Sequence, residues 1–179
     1  APIPSPTQTE TFVVEQKEDN EAEIVSRLES EGYIRNRWAV EVVRKIKGYK
    51  EIAAGGYYLT KNMNVWQTAS KLNGQPDMKW VVIKEGVRKE QIGELLNLDV
   101  SGWNKEGQYF PDTYLIPVTE TSVQVEQRLL NRFNEKFAPY MEQFTAKNII
   151  WTTGLKIASL IERETATQKD MAMVSGIIW

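Results

Sequence analysis

The chain of 179 residues reads as an α+β protein, on three observations. Short β-type runs occur at Thr11–Val14 and Lys79–Lys84, both in the first half. Stretches with helical apolar spacing follow Asn or Thr residues that suit N-caps. In the second half an apolar residue recurs every fourth position from Val125 to Phe137. Strand content is therefore expected to be mostly N-terminal, with helices dominating thereafter.

Taken in order, residues 1–10 hold three prolines and little that packs, so they read as a linker. Thr11-Phe12-Val13-Val14 is the first strand. Asn20 fits an N-cap with Glu23 as its capping-box partner. Ile24, Val25 and Leu28 supply the stripe, and Gly32 the stop. A second helix is predicted over 36–47, with Trp38, Val42, Val43 and Ile46 inward and Gly48 after it. Gly55-Gly56 reads as a turn into the strand Tyr57-Tyr58-Leu59. It lacks the spacing and the Lys-Ser/Thr of a phosphate loop. Asn64 with Gln67 caps a third helix, striped by Val65, Ala69 and Leu72 and ending before Gly74.

The run Lys79–Lys84 is the next strand, and a helix at 88–97 carries Ile92, Leu95 and Leu96. A shift of 68 residues sets Phe12 on Trp80, Ile24 on Ile92 and Leu28 on Leu96. Two β-α units of similar plan are the expectation, with chance agreement as the alternative. Residues 103–118 are aromatic and punctuated by Gly and Pro, with little helix character. Thr121 and Gln124 cap a long amphipathic helix through Val125, Leu129, Phe133 and Phe137, with Pro139 just beyond it. A last helix is predicted over 147–164. The start at Ala1 without Met and the apolar finish at Trp179 read as cuts from a longer chain.

Composition limits the chemistry. With no His and no Cys, Ser-His-Asp and Cys-His nucleophile systems are excluded, as are zinc sites built on those residues. Lys+Arg of 22 against Asp+Glu of 24 argues against a nucleic-acid binder relying on bulk positive charge. Carboxylates, hydroxyls, amides, Lys or Arg must carry any chemistry. At about 100° per residue, Ile150, Thr153, Gly154, Ile157, Leu160 and Ile161 share one helix face, and Glu164 falls in its middle. Glu162 points nearly opposite. A carboxyl held against apolar groups resists ionisation, as a general acid requires. The alternative is a helix end that turns Glu164 to solvent or pairs it with an Arg. The segment Glu106–Tyr114 combines Tyr109, Phe110 and Tyr114 with Glu106, Gln108, Asp112 and Thr113. It suits either a sugar-binding surface or a Pro-Asp turn with its aromatics in the core.

At these residues the chain resembles a known family. Ala158-Ser159-Leu160-Ile161-Glu162-Arg163-Glu164-Thr165 is similar to the Ala-Ser-Ile-Ile/Val-Glu-Lys-Glu-Thr signature of the MltG (YceG-like) endolytic murein transglycosylases. Glu106–Tyr114 looks like their Glu-Gly-x-x-x-Pro-Asp-Thr-Tyr element. Ala54–Leu59 resembles their Ala-Gly-x-Tyr-x-Leu segment, and Val82–Gly86 their Ile-Pro-Glu-Gly strand end. The four motifs agree in order and spacing across residues 11–179.

The resemblance implies a small LysM-like module at 11–78 and, at 79–179, the first part of a mainly helical lytic transglycosylase domain, incomplete here. It implies a bacterial inner-membrane protein with one anchoring helix outside this chain, acting on the outer face. Its partners would be peptidoglycan glycan strands and cell-wall synthesis proteins. Cleavage between MurNAc and GlcNAc would leave a 1,6-anhydro end, through a single glutamic acid and with neither cofactor nor metal. The family's catalytic Glu falls on Glu164. Glu162 would give a supporting ion pair or groove contact beside Thr165, and Glu106, Tyr109, Asp112, Thr113 and Tyr114 would line or brace the groove. The chain departs from the family where Asp170-Met171 stands in place of Glu-Arg. A non-catalytic peptidoglycan-binding module is the competing expectation. Some members carry the label of a pyridoxal-phosphate lyase, but no lysine here is placed for a Schiff base beside a phosphate cradle.

Overall fold

The computed structural model describes residues 8–15, 20–165 and 167–178. Most of the Pro-rich start and the terminal Trp179 lie outside that set. Four strands and seven helices are present among the described residues: β1 (Glu10–Val14), α1 (Glu21–Ser30), α2 (Arg37–Lys47), β2 (Gly55–Leu59), α3 (Val65–Asn73), β3 (Met78–Val82), α4 (Lys89–Leu96), β4 (Thr113–Pro117), α5 (Ser122–Ala146), α6 (Trp151–Glu164) and α7 (Gln168–Ile178). The α+β expectation holds. The chain forms two compact units: one runs to Val81 and takes in Tyr114–Thr119, the other comprises Val82–Thr113 and the residues from Glu120 onward.

The sheet has the order β1-β2-β3-β4. β1 and β2 are antiparallel, in register from Glu10 opposite Leu59 to Val14 opposite Gly55, and β3 follows with Met78 opposite Gly56. Gly55 and Gly56 are strand residues, not the turn expected. Their backbone lies so close to the neighbouring strand that a Cβ on Gly55, at φ +149°, would stand 2.5 Å from the Met78 carbonyl oxygen. Period-two alternation buries Phe12 and Val14 on one side of β1. These join Ile24, Val25 and Leu28 of α1, Val40 and Val43 of α2, Tyr57 and Leu59 of β2, and Ala69 and Leu72 of α3 in one apolar core.

Local chemistry starts the helices as expected. Asn20 Oδ1 accepts from the Glu23 amide at 3.0 Å while Glu23 accepts from the Asn20 amide, and Asn64 with Gln67 repeats the pattern. Thr121 and Gln124 do the same for α5. The 68-residue shift carries β1 onto β3 residue for residue and Glu21, the first residue of α1, onto Lys89, the first of α4. The equivalence includes the cap, since Gln91 accepts from the Arg88 amide at 2.9 Å.

Four expectations need correction. On α2 the buried residues are Val40, Val43 and Arg44, while Trp38, Val42 and Ile46 are exposed. Two apolar stripes interleave on this helix, and the core takes the one that brings Arg44 inward. There its Nε donates to Glu21 at 2.7 Å and its Nη2 to the Lys50 carbonyl at 2.5 Å. Residues 113–117 form β4, with Tyr114 and Ile116 buried in alternation. Pro139 lies inside α5, not beyond it. It removes one amide and its ring crowds the preceding turn, a cost of about 3 kcal/mol in a helix interior. Stacked aromatics hold the helix across it. Phe137 meets Phe133 at 5.2 Å, Phe144 at 5.5 Å and Trp151 at 5.5 Å. Finally, α6 is not the last helix. α7 follows it, started by Thr167 and Asp170, whose side chains hydrogen-bond at 2.7 Å while the Asp170 amide donates back to Thr167 Oγ1 at 3.3 Å. Asp170, the departure from the family pattern, thus helps begin a helix.

Candidate functional site

The four motif segments lie on the whole of β2, on the end of β3, on the loop leading into β4 and on the end of α6. Among them, Val82–Glu85 at the end of β3 meets Pro111–Thr113 at the start of β4. The Ile83 amide donates to the Asp112 carbonyl at 3.0 Å. Together these seven residues line a shallow, open cavity of about 460 Å³. Asp112 is fixed there by two further bonds. Its Oδ1 accepts from the Thr113 amide at 2.8 Å, and its Oδ2 from Arg132 Nε at 2.6 Å. The Thr113 amide first, and then Arg132, hold its carboxyl below the usual aspartate range. Arg132 also donates to both carboxylate oxygens of Glu135 at 2.9 Å. Asp112 is therefore a structured anion, suited to bracing or to accepting a hydroxyl proton as a hydrogen bond, not to donating a proton.

Tyr109 sits deeper. Its ring packs 5.0 Å from Trp103, its hydroxyl donates to Glu126 at 2.9 Å, and the Lys105 amide donates to that hydroxyl at 3.0 Å. Burial, reinforced by the Glu126 carboxylate, pushes its pKa up to about 12. Tyr114 is also buried, on β4, while Thr113 is exposed. These two tyrosines can brace a groove but offer little surface to a ligand.

The Glu106–Gly107 turn reaches α6. At φ +84° Gly107 takes a left-handed conformation, and a Cβ there would lie 3.6 Å from Leu155 Cδ2 and from Ser159 Oγ. The loop motif and the helix motif thus lie side by side, with room for about one methyl group between Gly107 and Ser159, the second residue of the signature. Glu106 is exposed, its Oε1 3.5 Å from the Lys89 amide.

The end of α6 differs from its expected form. Leu160 is 49 % exposed and Glu164 is exposed as well, and at the other end the N-cap residue Ile150 is 69 % exposed. The burial anticipated for Glu164 is absent. The reason is that cover along the stripe is partial: Trp151 meets Phe133 and Phe137, a Cβ on Gly154 would collide with the Phe144 ring, and Ile157 and Ile161 are half-buried, while Leu160 and Glu164 face solvent. Glu162 is exposed too, and Thr165 caps the helix with its Oγ1 donating to the Ile161 carbonyl at 2.7 Å.

Two positioning residues were not read from the sequence, Arg132 on Asp112 and Glu126 on Tyr109. Both lie on α5 beside its buried stripe of Val125, Leu129 and Phe133, so a polar residue next to that stripe was the available signal. Among the described residues no cluster of three or more carboxylates could hold a metal ion, and no helix is long and apolar enough to cross a membrane.

The family model that matches is the YceG-like family, over residues 12–179. The chain belongs to that family. It is 23 % identical to proteins named endolytic murein transglycosylase from Streptococcus pneumoniae serotype 2 (strain D39 / NCTC 7466) and from strain ATCC BAA-255 / R6. Each alignment covers 89 % of this chain and 38 % of the relative, so the chain spans well under half the length of these relatives. A crystal structure of a YceG-like protein from Listeria monocytogenes matches with a TM-score of 0.45 and 21 % identity, over 89 % of this chain and 66 % of that one.

Proposed function

We propose that this chain is part of an endolytic peptidoglycan lytic transglycosylase, with Glu164 as its single general acid and base. The observation that carries the reading is the family match over residues 12–179, supported by the proximity of Gly107 in the loop motif to Ser159 on the helix that ends in Glu164. In this reading residues 11–78 form a LysM-like module that holds glycan strands, and residues 79–179 contribute the first part of the catalytic domain. The parent protein is anchored in the membrane and works beside cell-wall synthesis proteins.

The chemistry needs one carboxyl. Glu164, protonated, gives its proton to the glycosidic oxygen between MurNAc and GlcNAc as the C1–O bond breaks. The carboxylate so formed takes the proton from the MurNAc 6-hydroxyl, whose oxygen closes on C1. One bond breaks, one forms, no water is consumed, and the carboxyl returns to its starting state. This differs from hydrolytic glycosidases, which use two carboxyls and a water. Because Glu164 is exposed in the free chain, the glycan laid over α6 must itself exclude water from the carboxyl. Asp112, held ionised by Thr113 and Arg132, braces the loop, and Glu162 and Glu106 offer hydroxyl contacts.

The test is digestion of purified peptidoglycan with the protein at its natural length, followed by mass spectrometry of the products. Anhydro-muropeptides, one water lighter than hydrolysis products, are expected. Glu164→Gln should lower their release by about 10³-fold or more with an unchanged circular dichroism spectrum. Undiminished release by that variant would overturn the assignment. Co-sedimentation with peptidoglycan without any cleavage, by the unaltered protein, would favour a binding module instead.

A further inference from the structure

Helix α2 presents an apolar face that its own unit leaves open. Trp38, Val42 and Ile46 occupy three successive turns, 62 %, 52 % and 72 % exposed. The opposite side of the helix, with Val40, Val43 and Arg44, is fully engaged in the core. Three large apolar side chains in line on a solvent face require an explanation that scattered ones do not.

The charge around this face narrows the occupant. From Tyr33 to Lys50 the chain carries five exposed cations, Arg35, Arg37, Lys45, Lys47 and Lys50, against a single carboxylate, Glu41, which lies half-buried beside the stripe. The chain as a whole has a net charge of -2, so this positive charge is a local excess, bordered by exposed Glu29, which accepts from the Arg37 amide at 3.2 Å, and by exposed Glu51 after Lys50. The Arg37 guanidinium lies 5.3 Å from the Trp38 ring, and the Lys47 ammonium, next to Ile46, lies 5.9 Å from the ring of Trp66, itself 53 % exposed.

We propose that α2 is an interfacial docking helix for an anionic phospholipid surface. A soluble polyanion would use the cations and leave Trp38, Val42 and Ile46 in water. An apolar protein helix would use those three and gain nothing from five cations. A bilayer carrying acidic headgroups uses both: the apolar stripe enters the boundary between headgroups and acyl chains, tryptophan sits at that depth, and Lys and Arg reach the phosphates. This face belongs to the first unit and does not depend on Glu164 or on the catalytic reading.

Flotation of the intact chain with vesicles tests it. Binding is expected to vesicles of phosphatidylglycerol with phosphatidylcholine, to weaken as ionic strength rises, and to be at least about tenfold weaker with phosphatidylcholine alone. The triple variant Trp38→Gln/Val42→Gln/Ile46→Gln should lose binding by about tenfold or more with an unchanged thermal transition. Lys45→Glu/Lys47→Glu provides a second, independent arm and should weaken binding similarly. No binding to acidic vesicles would overturn the proposal. So would full binding by the triple variant, which would mean charge alone acts. Self-association of the chain that the triple variant abolishes would also overturn it, by assigning the face to a second copy.

Discussion

Helix α1 places Ile24, Val25 and Leu28 at 2 % exposure or less, whereas α6, with an equally regular apolar stripe, has no buried side chain among the described residues. The difference lies in what each stripe meets. That of α1 joins the core built with β1, α2, β2 and α3, so each methyl group is surrounded. That of α6 is covered in patches, by the α5 aromatics at Trp151 and Gly154 and beside Gly107 at Leu155 and Ser159, and opens to solvent at Leu160 and Glu164. Periodicity therefore identifies a face, but only neighbouring elements decide whether the face is dry.

This contrast can be broken at three strengths. Leu28→Ala removes a fully buried side chain and should cost about 2–5 kcal/mol, read as a lower urea midpoint. Gly154→Val drives a branched side chain into Phe144 where α6 is covered. A loss of about 1–3 kcal/mol is expected, seen as weaker helical signal in the same unfolding experiment. The smallest effect is one of pH. Tyr33 in the first unit and Tyr109 in the second are both pushed up to about 12 from an unfolded value of 10.0. A group whose folded pKa is raised lends stability that is complete below the unfolded value and is lost as pH climbs towards the folded one. The protein should therefore lose stability between about 10 and 12. Tyr109→Phe should flatten part of that loss, with Tyr33 and Tyr57, which burial also pushes up, contributing to the rest, as denaturation midpoints across that range would show.

What was legible in the sequence was local. The caps at Asn20, Asn64 and Thr121 depend on residues three apart, and a reader of the sequence has all of them in view. The face of α2 was not legible, because Trp38-Val42-Ile46 and Val40-Val43 are both apolar stripes and the choice between them is made by Glu21 and Lys50 drawing Arg44 inward. β4 was hidden by the Gly and Pro around it, although Tyr114 and Ile116 do alternate. The continuation of α5 past Pro139 depends on Phe144 and Trp151, which no local rule weighs. Of the candidate site, the motif positions and the Glu164 helix were legible. The partners Arg132 and Glu126 were not, since they come from an element some twenty residues away, as the Asp112–Arg132 and Tyr109–Glu126 pairs show.

Pro139 gives α5 a property that a continuous helix lacks. With no amide at that position, the carbonyl four residues earlier has no helical donor, and the rigid rod becomes two rods sharing a seam. The N-terminal rod is clamped by Val125, Leu129 and Phe133 in its own core. The C-terminal rod meets α6 where the Phe144 ring lies against Gly154, while Trp151 of α6 packs on Phe133 and Phe137 of the N-terminal rod. Helix α6 is thus stapled to both rods, so a bend at the seam has to repack the Phe133, Phe137, Phe144 and Trp151 rings before it can move the signature carboxylates relative to the Asp112–Arg132 clamp.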